Sequence, residues 1–271
     1  MPWKICKEKG KQMNQELECR ILKKLGEQLG HVGFYYKNLV TGAEAGYHEH
    51  EAFYAAIVIK LPVFMCIEKW CHEGTASMDE RIKVTHMDKV PICGALTLFT
   101  DEPVVDVRTL CRLMISISDN TATNVLINHF GIARFQEEFL RIGLKGTRLN
   151  RLLFDREAAE KGLSNYIELY EIGSLLAKVY ERSFVDYNVS EEIEEVLLLQ
   201  QINHKIPGQI EDLSVKIAHK TGEDEELSND VALVYAKQPF ILCFAGYDTC
   251  VGSFEDLIRH FSYEIFCQCN E

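Results

Sequence analysis

Strand-like patterns gather near the two ends of this 271-residue chain, and the long middle reads as helix. HVGFYYKNLV and AEAGYHEH, parted by Thr41-Gly42, spell a hairpin, and residues 214–220, 230–237 and 240–247 are three further β-rich runs. Residues 12–29 and 252–267 carry apolar side chains at helical spacing, among them Leu17, Ile21 and Leu25 in the first and Phe254, Ile258 and Phe261 in the second. Helical patterns fill 55–71, 107–117, 121–130, 133–140, 167–182 and 190–202. Strands so far apart in sequence share a sheet only if the middle folds aside. The expected fold is therefore α+β: an antiparallel sheet from both chain ends, flanked by the terminal helices, plus an all-helical insertion. Residues 1–54 and 205–271 are expected to form the sheet-bearing part and 55–204 the helical part, as one unit with a cleft between them.

Within the segment Phe53-Tyr54-Ala55-Ala56-Ile57-Val58-Ile59-Lys60-Leu61-Pro62-Val63, one lysine is set into an almost wholly apolar run. An ammonium is costly to bury without a partner, so Lys60 is the first candidate for a functional group. Pro62 breaks a helix interior but is tolerated in a first turn, which puts Lys60 at the start of a buried helix.

The net charge of −12 argues against nucleic acid and anionic membranes as partners, since both attract clustered Lys and Arg. No apolar run follows the lysines of MPWKICKEKGKQMNQELE, so no signal peptide is expected there, and no stretch reaches transmembrane length. Ten cysteines, many in apolar contexts such as Met65-Cys66 and Leu242-Cys243, fit buried thiols in a reducing, cytoplasmic setting better than a disulfide framework. His48 and His50 share a strand face, but two imidazoles alone are a weak metal signal, and Cys267-x-Cys269 lacks a second pair. No metal or cofactor is expected, and no protein partner is legible.

Ser118-Asp119-Asn120, within LMISISDNTATNVLI, and Lys220-Thr221-Gly222, within VKIAHKTG, follow Lys60 in the order that marks class A β-lactamases and penicillin-binding proteins. The chain resembles that serine hydrolase family over nearly its whole length, including TRLNR at 147–151 and ELSNDVALV after the Lys-Thr-Gly. The resemblance implies a β-lactamase-like α/β/α sandwich. It also implies that Lys60 stands beside a nucleophile, that Ser118 shuttles a proton, that Lys220 lies near Ser118, and that Asp119 is structural. Asn120, Thr221, Gly222 and Glu223 would border the ligand, with the backbone N–H groups of Ile57 and Glu223 as an oxyanion hole.

Where the family carries its nucleophilic serine, three residues before the lysine, this chain has Ile57, and no Ser-x-x-Lys occurs anywhere in it. Isoleucine offers no atom that a base could activate. The position of the family's water-activating glutamate is Leu153 or its neighbour, with Asp155 and Glu157 close by. The leading expectation is a pseudoenzyme that keeps the cleft for a small molecule bearing an amide and a carboxylate. The alternatives are an amide or ester hydrolase or acyltransferase using Ser118 or Lys60 as nucleophile, and a purely structural or interaction protein.

Overall fold

A computed structural model describes residues 13–271; Cys6 and the rest of residues 1–12, where the lysine-bearing N-terminal stretch begins, lie outside them. The chain opens with α1 (Gln15–Gly26), β1 (His31–Asn38), β2 (Glu44–Tyr47), β3 (Ala52–Tyr54) and α2 (Lys60–His72). The middle comprises β4 (Arg81–Lys83), β5 (Val104–Asp106), α3 (Val107–Ser116), α4 (Asn120–Phe130), α5 (Ile132–Arg141), α6 (Arg156–Glu160), β6 (Tyr166–Glu168), α7 (Leu169–Tyr180) and α8 (Tyr187–Leu197). The chain closes with β7 (Ile217–Asp224), β8 (Leu227–Val234), β9 (Phe240–Tyr247) and α9 (Val251–Cys269).

The main sheet has the order β2-β1-β9-β8-β7, antiparallel throughout. Its two-residue period sorts side chains to opposite faces. Phe240, Leu242 and Phe244 of β9 pack with Leu17, Ile21 and Leu25 of α1 and with Phe254 and Ile258 of α9. The intervening Ile241, Cys243 and Ala245 join the helical side, with Ile172 and Leu176 of α7. A β-carbon at Gly173 would stand 2.4 Å from the Tyr35 ring, so α7 meets β1 at a point where only hydrogen fits. Helices therefore cover both faces of the sheet, as expected.

Helix α2 is apolar nearly all round and buried from Lys60 to Ile67, the pattern of a helix with no solvent face. Contrary to the sequence expectation it begins at Lys60; residues 56–59 form a turn, which an unbroken apolar run does not distinguish from helix. Pro62 falls in the first turn, where its missing N–H is harmless. Strands β7 and β8 start three residues later and earlier, respectively, than the β-rich runs suggest, so Lys220-Thr221-Gly222 lies inside an edge strand. The middle is not wholly helical: β4 pairs with β5, and β6 pairs with β3 across the expected boundary at residue 55. Three-residue strands are too short to show a period. Among the described residues no helix is long and apolar enough to cross a membrane, and the nine cysteines are free thiols.

Candidate active site

Three elements converge beneath one cleft: the turn into α2, the α3–α4 junction, and β7. Lys60 is fully buried, and its Nζ donates to Ser118 O and Asn120 Oδ1, each at 2.7 Å. Ser118 has a left-handed backbone, φ 55°, uncommon outside glycine and asparagine, and its Oγ lies 2.5 Å from Lys220 Nζ. Lys220, also fully buried, donates in addition to Thr221 O at 2.7 Å. Lys60, Ser118, Asn120 and Lys220 thus form one hydrogen-bonded set, although 160 residues separate the first lysine from the last.

Above this set the cleft measures ≈ 850 Å³, and Ile57, Ser118, Asn120, Thr221, Gly222 and Glu223 are among its lining residues. Ile57 sits on the tight turn after Ala56, whose φ is 41°. Gly222 is pressed against that turn: a β-carbon there would lie 3.2 Å from Ile57 N and 3.1 Å from Val58 N. Thr221 Oγ1 donates to Asn229 O at 3.3 Å.

Asp119 points away from the cleft. One carboxylate oxygen caps α4 by accepting from Ala122 N at 2.9 Å, and the other accepts from Ala95 N at 2.7 Å and Leu96 N at 2.9 Å. It clamps the loop that carries Cys93 into the cleft wall, where the Cys93 carbonyl accepts from Asn120 N at 3.1 Å.

Burial, and then the proximity of Lys220, pushes the Lys60 amine well below its ordinary range, while Cys93 and Asp119 pull it back only in part. Burial likewise pushes Lys220 down to about 7, with Asp230 opposing and Lys205 reinforcing the shift. A neutral Lys60 amine satisfies both of its acceptors with two N–H bonds and keeps a lone pair. Burial thus favours the neutral, basic form of this amine.

The shift at Lys220 sets a sign for stability. An unfolded lysine keeps its proton up to its ordinary value of 10.5, whereas the folded one releases it near 7. Between those values the unfolded chain binds more protons, so this residue makes stability rise with pH. Urea denaturation across that window is expected to give a steeper rise for the unmodified chain than for Lys220→Met, and equal slopes would refute the assignment.

The segment from Lys145 to Asn165 forms a closed loop over the cleft, pinned by groups that sequence reasoning did not single out. Glu171 accepts from the backbone N–H groups of Lys145, Gly146 and Thr147 at 2.5, 2.9 and 2.8 Å. Asn165 Oδ1 accepts from Asn150 N and Arg151 N, and Asn124 exchanges two 2.9 Å bonds with the backbone of Leu153. Leu153 and Asp155 line the cleft, but the Asp155 carboxylate caps α6 through Ala158 N at 3.0 Å. Glu157 is paired with Lys161 at 2.6 Å on the exposed side.

Behind β7, the fully buried Lys205 donates to Gly222 O at 2.9 Å and Asn229 O at 3.2 Å, and its Nζ lies 3.2 Å from Glu223. His219 lies 3.1 Å from Asp230, and although burial alone would raise the Asp230 carboxyl, His219 and Lys205 hold it below its ordinary range. Nothing local in sequence marks Lys205, Asn229 or Asn165; their partners lie on other elements.

Residues 16–253 match the beta-lactamase enzyme family. A β-lactamase of Rhodobacter capsulatus is 30% identical over 139 residues, which is 48% of this chain and 44% of that protein, so the match spans less than half of that curated relative. PBP-A superimposes with a TM-score of 0.85 at 24% identity, covering 93% of this chain and 95% of PBP-A. A β-lactamase from Sphaerobacter thermophilus DSM 20745 gives 0.87 at 20% identity, over 95% and 98% of the two chains. Fold and sequence agree that this chain belongs to the beta-lactamase enzyme family.

Proposed function

We propose that this chain is a family member that has lost acylation chemistry and uses the cleft to bind a small molecule bearing an amide and a carboxylate. The observation that carries this reading is Ile57, which lines the cleft three residues before Lys60 while Lys60, Ser118, Asn120 and Lys220 remain hydrogen-bonded to one another. Ile57 leaves Lys60 no hydroxyl to deprotonate at the family's nucleophile position, and the Ser118 hydroxyl is bonded to Lys220 instead. Asn120 gives its oxygen to Lys60 and keeps its amide N–H₂ for a ligand carbonyl, and the Thr221 hydroxyl would serve a carboxylate by turning its O–H away from Asn229 O.

Penicillin G is a fitting probe, because it carries both groups and because a PBP-A mutant is described as an acyl-enzyme complex with it. The unmodified chain incubated with penicillin G is expected to keep its intact mass while its melting temperature rises with ligand concentration. A penicilloyl adduct would overturn the reading, and peptide mapping would then name the nucleophile. Absence of any stabilisation by penicillin G or simpler N-acyl amino acids would count against a binding role.

A second reading has one observation in its favour. Cys93 carries a thiol, lines the same cleft as Ser118, and is tied to Asn120 through its own carbonyl. An adduct mapped to Cys93, Ser118 or Lys60 would make the chain an acyl-transfer enzyme with a relocated nucleophile.

A further inference from the structure

We propose that His31, His48 and Glu51 form a binding site for a divalent transition ion, with Zn²⁺ the best fit to the donors. One ligand atom from each residue lies within 4.8 Å of the other two. Donors of a tetrahedral zinc site at 2.0–2.1 Å from the ion stand about 3.4 Å apart, so the cluster needs a side-chain adjustment of roughly an ångström to close. His31 Nε2 and Glu51 Oε2 are already 2.9 Å apart. Two imidazoles and one carboxylate with an open fourth position suit zinc, whereas Mg²⁺ and Ca²⁺ prefer all-oxygen sets.

The three residues are held side by side, although the near-parallel His31 and His48 rings must tilt to aim both lone pairs at one ion. His31 begins β1 and stacks on Phe53, with ring centroids 4.8 Å apart, and on His48 at 5.2 Å. His48 lies against Tyr47 at 4.1 Å, and the bond from Glu51 N to His48 O, 2.9 Å, closes the turn that carries both ligands. Among the described residues the buried His48 Nδ1 finds no hydrogen-bond partner, a costly arrangement that ligation through this nitrogen would relieve. His50, which the sequence pairs with His48, is directed elsewhere and meets Glu168 at 3.2 Å.

The other cluster of this kind among the described residues, His204, Glu223 and Glu255, has Lys205 Nζ 3.2 and 3.6 Å from its carboxylates, where an ion would sit. Among the described residues no ammonium or guanidinium is paired with Glu51 of the His31 cluster. That cluster also backs onto the cleft, since the His31 ring is 5.0 Å from that of Tyr247, and Tyr247 and Tyr54 line the cleft.

The test is calorimetric titration of chelator-treated protein with ZnCl₂, with CoCl₂ as a spectroscopic probe. One ion per chain is expected at this site, with a Co²⁺ spectrum free of thiolate charge-transfer bands, which separates it from the exposed Cys19, Cys250 and Cys267. His48→Asn and Glu51→Gln are each expected to weaken binding at least about tenfold, while His50→Asn leaves it unchanged. Glu51 is exposed, so Glu51→Gln keeps the test valid if a histidine variant folds poorly. No binding by the unmodified chain, binding that survives both His48→Asn and Glu51→Gln, or equal loss in His50→Asn would overturn the proposal.

Discussion

Ile57→Ser is expected to acquire a penicilloyl adduct that the unmodified chain does not form. The introduced hydroxyl would stand on the turn that leads into α2, three residues before Lys60, whose amine burial keeps below its ordinary protonation range. Lys60 would take the serine proton as Oγ attacks the lactam carbonyl, the C–N bond would open, and the proton would reach the lactam nitrogen through Ser118 and Lys220, already 2.5 Å apart. Removing the nucleophile from a serine hydrolase costs on the order of 10⁶ in turnover, so its return is expected to raise the acylation rate by at least about 10³. The adduct is expected to persist. Asp155 is occupied as a helix cap and Glu157 is paired with Lys161, which leaves neither carboxylate to activate a deacylating water. Intact-mass spectra over a time course would show a stoichiometric increase. An Ile57→Ser chain that melts like the original and still gains no mass would refute the proposal that the cleft is otherwise competent.

This result depends on residues that were legible in sequence for a specific reason. Lys60 stands out as the one charge in an apolar run, whereas Ser118, Asn120 and Lys220 were legible through two short motifs and their order along the chain. The strand alternation of Phe240 to Ala245 is equally local, and it fixes which side chains face α1 and α9. What could not be read is what long-range contact decides. Asn229 bonds Tyr54 O and Ala55 O from 175 and 174 positions away, and Lys205 reaches β7 and β8 from the loop before them. The boundary of α2 was hidden because a turn and a helix made of the same apolar residues differ only in what they pack on. His48 could be given a partner only once β1 had brought His31 beside it.

Asp119→Ala is expected to lower stability more than substitution of either flanking residue of the Ser-Asp-Asn motif. The carboxylate accepts three backbone N–H bonds, from Ala95, Leu96 and Ala122, and is fully buried. Losing the cap costs about 1 kcal/mol, and each further buried N–H left without an acceptor costs about 1–3 kcal/mol. Together these give roughly 3–7 kcal/mol, a large share of the 5–15 kcal/mol typical of a domain. Gly94 follows the same constraint: its φ is 118°, and a β-carbon there would lie 2.2 Å from the Asp119 carboxyl carbon. The loop is thus drawn directly onto the side chain. Urea denaturation should show a lower midpoint with an unchanged slope, with Asp119→Asn intermediate because one amide oxygen can replace part of the set. A shift below about 1 kcal/mol for Asp119→Ala would show that water replaces the carboxylate without penalty. The same loop carries Cys93, whose carbonyl receives Asn120 N, so alkylation of that thiol should quicken in Asp119→Ala before global unfolding does. Equal alkylation rates would mean that the cleft wall holds its place without Asp119, and that the aspartate secures only the start of α4.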